Sequence, residues 1–415
     1  MRLLVSHPTG NTFVRALLET AYAEGVLESF HTTIAYRGGH WTEKLMPSQV
    51  RTQYERRAYP IPDNLIHRHP FRETVRLLAA KVGLARLTKH ETGWASLDEV
   101  YGELDRKTAQ ALIDSEATHL HCYEDGALES FKLAQRLGMH RSYELPIAHW
   151  KTMRELLDKE AECRPEWAPT LVSTDDSQEK LARKDEELSL ADNIVVPSQF
   201  VLDSLPATIQ TSKTCILAPF GTPQVQGRKP RRTSGTPKKI RFLFAGSMGQ
   251  RKGLGDLLEA FSKIRRDDVE LIIMGTPMMD MEFYLEQFDG FTYEPPRPHS
   301  EVLELMQSCH VLALPSIAEG RALVQQEAMS QGMALLVTAN AGGEDLVREG
   351  QTGFLVPVAD PASIEEKVHW FADHPAETLQ LGRNAQQHAS RYTWENYAQA
   401  ILDRAPHLDT QPQQG

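Results

Sequence analysis

Short apolar runs alternate with longer stretches of helical spacing along the whole chain. In the first half the runs are residues 2–6, 28–35, 118–123, 142–146, 193–197 and 214–218. In the second they are 240–245, 269–274, 311–314, 334–338 and 354–356. Continuous apolar runs of this length suit strands buried on both faces, the condition of a parallel sheet. The stretches between them, from Thr12 towards Glu24 and through Ile264, for example, read as helices. Asp360 followed by Pro361 is a good helix start. Strand, turn and helix repeated in this order predict an α/β protein.

At 415 residues the chain exceeds one ordinary core, so two domains of about 200 residues each are expected. The boundary falls at 224–239, where six basic residues, no acid and almost no apolar side chain occur. That is linker chemistry. The expected division is an N-terminal Rossmann-like domain over 1–223, the basic linker, a second such domain over 240–395, and a helix with a polar tail over 396–415.

Charge and cysteine content narrow the function. A formal net charge of −11 argues against broad nucleic-acid binding, which needs basic surface. The four cysteines have no metal-type spacing and fit a reducing interior. The N-terminus has no long apolar signal core and no run of about 18 apolar residues occurs, so a cytoplasmic location is expected. Residues 51–90 depart from the acidic average, with nine Lys/Arg against three acids. Leu77, Leu78, Val82 and Leu84 lie among these charges. Such a helix suits either peripheral contact with anionic lipid at the inner membrane face or a solvated surface.

The candidate chemistry sits at the ends of predicted strands. Gly10 and Asn11 follow the first strand, as a ligand loop or a plain turn. Arg251 and Lys252 follow the strand at 240–245 beside Gly246, where two cations and close backbone suit a diphosphate. After the strand at 311–314 come Glu319 in the turn, Gly320 to Leu323 at a helix start, and Glu327 within the helix. A helix start offers free N–H groups to an anion. Glu327 shares its face with Leu323 and Val324, a charge where an apolar residue is easier to explain, and such breaks mark functional sites. His149 and the Glu124-Asp125 turn also lie just past strand ends, where α/β sheets place ligands.

Phe244-Ala245-Gly246, Arg251-Lys252-Gly253, Glu319 with Glu327-Ala328-Met329, Gly342-Gly343 and Gly350-Gln351-Thr352-Gly353-Phe354-Leu355-Val356 together resemble the retaining glycosyltransferase family 4, or glycosyl transferases group 1. The ordered series covers about 240–395. Over the first half the likeness is looser, resting on Gly10, residues 191–198 and Pro219-Phe220-Gly221.

The resemblance implies a GT-B architecture, two doubly wound Rossmann-like domains facing each other across a cleft. It implies a nucleotide-sugar donor on the C-terminal domain and a saccharide or lipid-linked acceptor on the N-terminal one, with transfer of a hexosyl-type unit in cell-surface polysaccharide or glycolipid synthesis. It implies no cofactor and no metal, because Arg251 and Lys252 neutralise the leaving diphosphate. Carried over, Glu319 contacts the donor sugar and Glu327 the ribose. Gly246, Gly320 and the amides of Arg321, Ala322 and Leu323 line the donor, and Gly10 and Asn11 form the loop facing it. The family's acceptor-side histidine has no clean match, leaving His149 or the Glu124-Asp125 turn as catalytic candidates. Arg321 stands where the family often has Phe, so a donor bearing a carboxylate is one expectation. Alternatives on the same fold are a nucleotide-sugar epimerase, a phosphorylase and a non-catalytic sugar-nucleotide-binding protein.

Overall fold

The computed structural model describes residues 1–36, 57–172, 175–223 and 237–404. Most of the basic linker, and residues 51–56 of the basic stretch, lie outside the described residues.

The chain builds two parallel sheets. The first has β1 (Leu3–Ser6), β2 (Leu27–Thr32), β3 (Ile66–Arg68), β4 (His119–Tyr123), β5 (His140–Glu144), β6 (Asn193–Val196) and β7 (Thr214–Leu217). Their spatial order is β3-β2-β1-β4-β5-β6-β7. The second has β8 (Ile240–Ala245), β9 (Val269–Met274), β10 (Phe291–Glu294), β11 (Val311–Leu314), β12 (Ala334–Val337) and β13 (Gly353–Leu355), in the order β10-β9-β8-β11-β12-β13. Both are doubly wound. The strand order reverses between β1 and β4 in one and between β8 and β11 in the other, and such a switch point opens a crevice at the strand C-terminal ends.

The reason for this order is burial. Every residue of β11 and β12 is buried, as a strand covered by helices on both faces requires. Two edge strands, β3 and β10, escaped the sequence reading. Each is short and half-exposed, so neither carries an apolar run.

Among the described residues, three of the contacts that fasten the halves to each other stand out. Helix α1 (Thr12–Ala23) is packed by the C-terminal α2 (Trp394–Leu402), which crosses back to the first domain. The Tyr397 hydroxyl of α2 donates to the Glu144 carboxylate at 2.8 Å. From the first half, Trp167 inserts into the core of the second, where its ring meets Phe283 at 4.8 Å and Tyr284 at 5.8 Å. Beside it Arg164 bonds Asp256 at 2.9 Å and Glu259 at 2.6 Å. Third, Ala148, Met153, Leu157 and Leu171 of the first half close over Ile317 and Ala318 of the second. Among the described residues no helix is long and apolar enough to cross a membrane.

Removing a fully buried indole leaves a cavity that its neighbours only partly fill. Trp167→Ala is expected to cost about 3–5 kcal/mol, read as a lower guanidinium midpoint by far-UV circular dichroism. An unchanged midpoint contradicts the insertion.

Candidate active site

Three of the residues predicted to meet a donor converge at the β8/β11 switch point. Arg251 and Lys252 sit in the turn after β8, and Glu319 in the turn after β11. Lys252 Nζ bonds Glu319 Oε1, and Arg251 Nη1 lies 3.0 Å from Glu319 Oε2. Arg251 also donates to the Ala318 carbonyl at 3.2 Å, and its own carbonyl accepts from the Ile317 amide at 2.9 Å. Two loops far apart in sequence are thereby tied together. Burial works to raise the Glu319 carboxyl pKa, but Lys252 and Arg251 together outweigh it and hold the group below the usual range.

Gly246 is fixed by the same geometry. A Cβ there would come within 2.8 Å of the Lys252 Cδ and Cε, so only glycine lets the lysine reach Glu319. The loop itself is braced from the first half of the chain. Gln250 donates its amide to Thr170 Oγ1 at 3.0 Å, and its Nε2 donates to Glu160 at 2.8 Å and Asp256 at 3.0 Å.

The helix that follows, α3 (Leu323–Ser330), starts later than its predicted beginning at Gly320. Its Glu327 accepts a contact from His299, with Nε2 3.0 Å from Oε1. Both face an interdomain cleft of about 620 Å³, whose walls also include Gly10, Asn11, Leu323 and Trp394. The face of α3 that looked anomalous by its charge is the face that looks into the cleft.

Four predicted site residues stand differently from their expected roles. Gly320 has no room for a side chain, because a Cβ would come 1.8 Å from the Pro146 carbonyl oxygen of the first domain, and its own carbonyl accepts from Ser198 Oγ at 2.6 Å. It is a docking point between domains. Arg321, only 4% exposed, forks onto Asp345 at 2.7 and 3.1 Å, donates to Gln326 at 2.9 Å and stacks over Tyr392 at 5.1 Å. Its charge is spent inside the protein, which corrects the expectation that it receives a donor carboxylate. The Ala322 amide donates to the Ala341 carbonyl at 3.2 Å and so is not free for a phosphate.

His149 is the fourth. It caps the helix Trp150–Cys163 by accepting from the Lys151 amide at 3.4 Å, and its Nε2 lies 3.2 Å from Asp185. Burial lowers its pKa against the pull of Asp185. The residue expected to be catalytic is thus a buried helix cap paired with Asp185. The other candidate, the Glu124-Asp125 turn, does line a cavity, at the β1/β4 switch point together with His7 and Asn11.

Sequence reading missed His7, His299, Gln250 and Asp345. Only His7 carried a signal, its place at the end of the first strand just before the Gly10 loop.

With this geometry in view, comparison with known proteins is informative. Residues 226–388 match the model for glycosyl transferases group 1. Over these residues, well under half of its length, the chain is similar to that family. A D-inositol 3-phosphate glycosyltransferase from Corynebacterium urealyticum is 28% identical over 200 residues, 45% of this chain and 47% of that protein. One from Corynebacterium diphtheriae is 29% identical over 256 residues, 55% of this chain and 60% of that protein. The chain thus spans about half the length of the curated relatives it matches. Among solved structures, a sucrose-phosphate synthase from Thermosynechococcus elongatus superposes with a TM-score of 0.64 at 16% identity, covering 97% of this chain and 98% of that one. HepE from Anabaena in complex with UDP-glucose gives 0.58 at 14% identity, with 97% and 98% covered. At these identities the likeness is one of fold, and the fold is GT-B.

The His299–Glu327 pair sets a pH dependence. The hydrogen bond that His299 donates to Glu327 raises the His299 pKa above its ordinary 6.5, against burial. The pair therefore stabilises fully below 6.5 and lets go as pH rises through the higher folded value, which frees Glu327. The His299 ring protons, followed by NMR, are expected to titrate above 6.5, and Glu327→Gln is expected to bring the midpoint down. A midpoint at or below 6.5 contradicts this.

Proposed function

We propose that this protein transfers a sugar from a nucleoside-diphosphate donor to a hydroxyl acceptor, with retention at the anomeric carbon. The observation that carries the reading is the convergence of Arg251 and Lys252 on one buried carboxylate at the switch point of the family domain. Two cations held together by a single anion form a site that a diphosphate can take over.

In the proposed reaction the diphosphate displaces Glu319 from Arg251 and Lys252. The bond from the anomeric carbon to the diphosphate oxygen breaks, and a bond to the acceptor oxygen forms on the same face. The acceptor proton passes to the departing diphosphate oxygen. Arg251 and Lys252 stabilise the charge that develops there, so no metal ion is required. Glu319, released from the cations, turns to the hydroxyls of the donor sugar, and Glu327 accepts from the ribose diol. Several fold neighbours solved with UDP or a UDP-sugar support a nucleotide donor, uridine foremost.

Peripheral contact with an anionic bilayer at the cytoplasmic face belongs to the same reading. Phe71, Leu78, Val82 and Leu84 are exposed beside Lys81 and Arg86. Arg57 and Arg76, by contrast, are each bonded to Glu73 at 2.6 Å, which spends part of the basic surplus internally. A role in surface polysaccharide or glycolipid synthesis fits such a position.

The test is release of nucleoside diphosphate from a panel of sugar nucleotides with saccharide acceptors, the product's anomeric configuration being read by NMR. If no sugar nucleotide is bound or consumed, the reading fails. Glu319→Gln separates the two roles given to this residue. Losing the internal counter-charge is expected to tighten UDP about 10-fold, or 1.4 kcal/mol, while transfer slows by at least about 100-fold. Unchanged UDP affinity contradicts the displacement step.

A further inference from the structure

The cavity at the β1/β4 switch point, about 180 Å³, has walls that include His7, Asp98, Tyr101, Glu124, Asp125 and Lys180. A space of this size holds a cluster of waters and suits one small ring. It shares Asn11 and Phe13 with the cleft that Glu327 faces. It is also bounded by Pro146, whose carbonyl abuts Gly320. Resting on the transferase reading above, this is where the acceptor sits.

The charges there are already matched against one another. Lys180 Nζ lies 2.9 Å from Asp98 and 2.8 Å from Asp176. Arg183 lies 3.0 Å from Asp125 and 3.7 Å from Asp98. Lys184 lies 3.5 Å from Glu124 and 3.3 Å from Asp176. Each nearby base is held by at least two carboxylates, Lys184 also meeting Asp125 at 3.7 Å, and the lining itself carries three carboxylates to one ammonium. An anionic ligand finds like charge here and no free cation among the described lining residues.

Groups that do await a partner are neutral. His7 is only 4% exposed and lines the cavity; its Nδ1 is occupied by the Thr9 amide at 3.1 Å, while its Nε2 has no hydrogen-bond partner among the described residues. Burial pushes the imidazole down to about 3, so it stays uncharged. The Tyr101 hydroxyl likewise has no partner among the described residues. Glu124 already faces Lys184 at 3.5 Å, yet burial, with Asp125 alongside, lifts its carboxyl to about 7 against that pull, so it both donates and accepts near neutral pH. Hydroxyl groups satisfy all of these, and neighbouring hydroxyls can share one carboxylate.

We infer that the cavity seats an uncharged, hydroxyl-rich acceptor, a sugar or cyclic polyol with no phosphate or carboxylate on the seated ring. This departs from the relatives, which are named for an acceptor that carries a phosphate.

The experiment is saturation-transfer NMR on the full chain loaded with UDP, using myo-inositol against D-inositol 3-phosphate and glucose against glucose 6-phosphate. Nucleoside diphosphate release is followed over the same pairs. The neutral member of a pair is expected to bind at least about 10-fold more tightly than its phosphorylated counterpart. Asp125→Asn is expected to weaken the neutral ligand several-fold while UDP affinity holds. Asp125 has φ +71°, a conformation asparagine tolerates well, which keeps this variant folded. Equal or tighter binding of the phosphorylated member overturns the inference, as does failure of every neutral sugar to bind. If UDP fails to bind while neutral sugars do, the transferase reading falls and the pocket's selectivity stands.

Discussion

Glu319 lies between Arg251 and Lys252 at the β8/β11 switch point, and the architecture around it follows from the need to hold like charges together. Two cations on one short turn repel each other and resist burial. A carboxylate from the neighbouring switch-point turn offsets both, at the cost of desolvating a group only 9% exposed. The second glutamate repeats the arrangement more openly, with His299 held at 3.0 Å. Each residue proposed to meet the donor is therefore occupied by an internal partner of opposite charge. Such pairs hold the site together and set a threshold that a ligand must exceed.

The interdomain contacts explain why this arrangement persists. Ser198 and Pro146 grip Gly320 from the first domain, and Arg321 forks onto Asp345 directly behind it. Trp167 and Gln250 lock the turn that carries the two cations. The proposed donor side is thus built with side chains from the first half of the chain, and neither half alone has all the parts. The same closeness puts the acidic cavity at β1/β4 next to the donor loop, through Pro146 and the shared Asn11 and Phe13.

Much of the fold was readable because a strand covered on both faces must be apolar throughout, as at Val311–Leu314. Edge strands such as Ile66–Arg68 need no such run and left no trace. In the candidate site, Glu327 was legible as a charge on an apolar helical face, and Arg251-Lys252 as cations beside glycines. Partnerships were not legible. Glu319 and Lys252 stand 67 residues apart, and nothing local says that one neutralises the other. Arg321 looked free because Asp345, 24 residues on, is brought to it only by the loop after β12. His149 looked chemical by its position at a strand end, yet that position is also where a helix needs a cap. Sequence shows which groups are present, whereas packing decides which are already satisfied.

The displacement of one anion by another is the central claim, and a crystal structure of the protein with UDP bound tests it most directly. The account predicts diphosphate oxygens within hydrogen-bond distance of Arg251 and Lys252, with the Glu319 carboxylate turned away from both. A diphosphate bound elsewhere, or a Glu319 still paired with the two cations beside bound UDP, contradicts it.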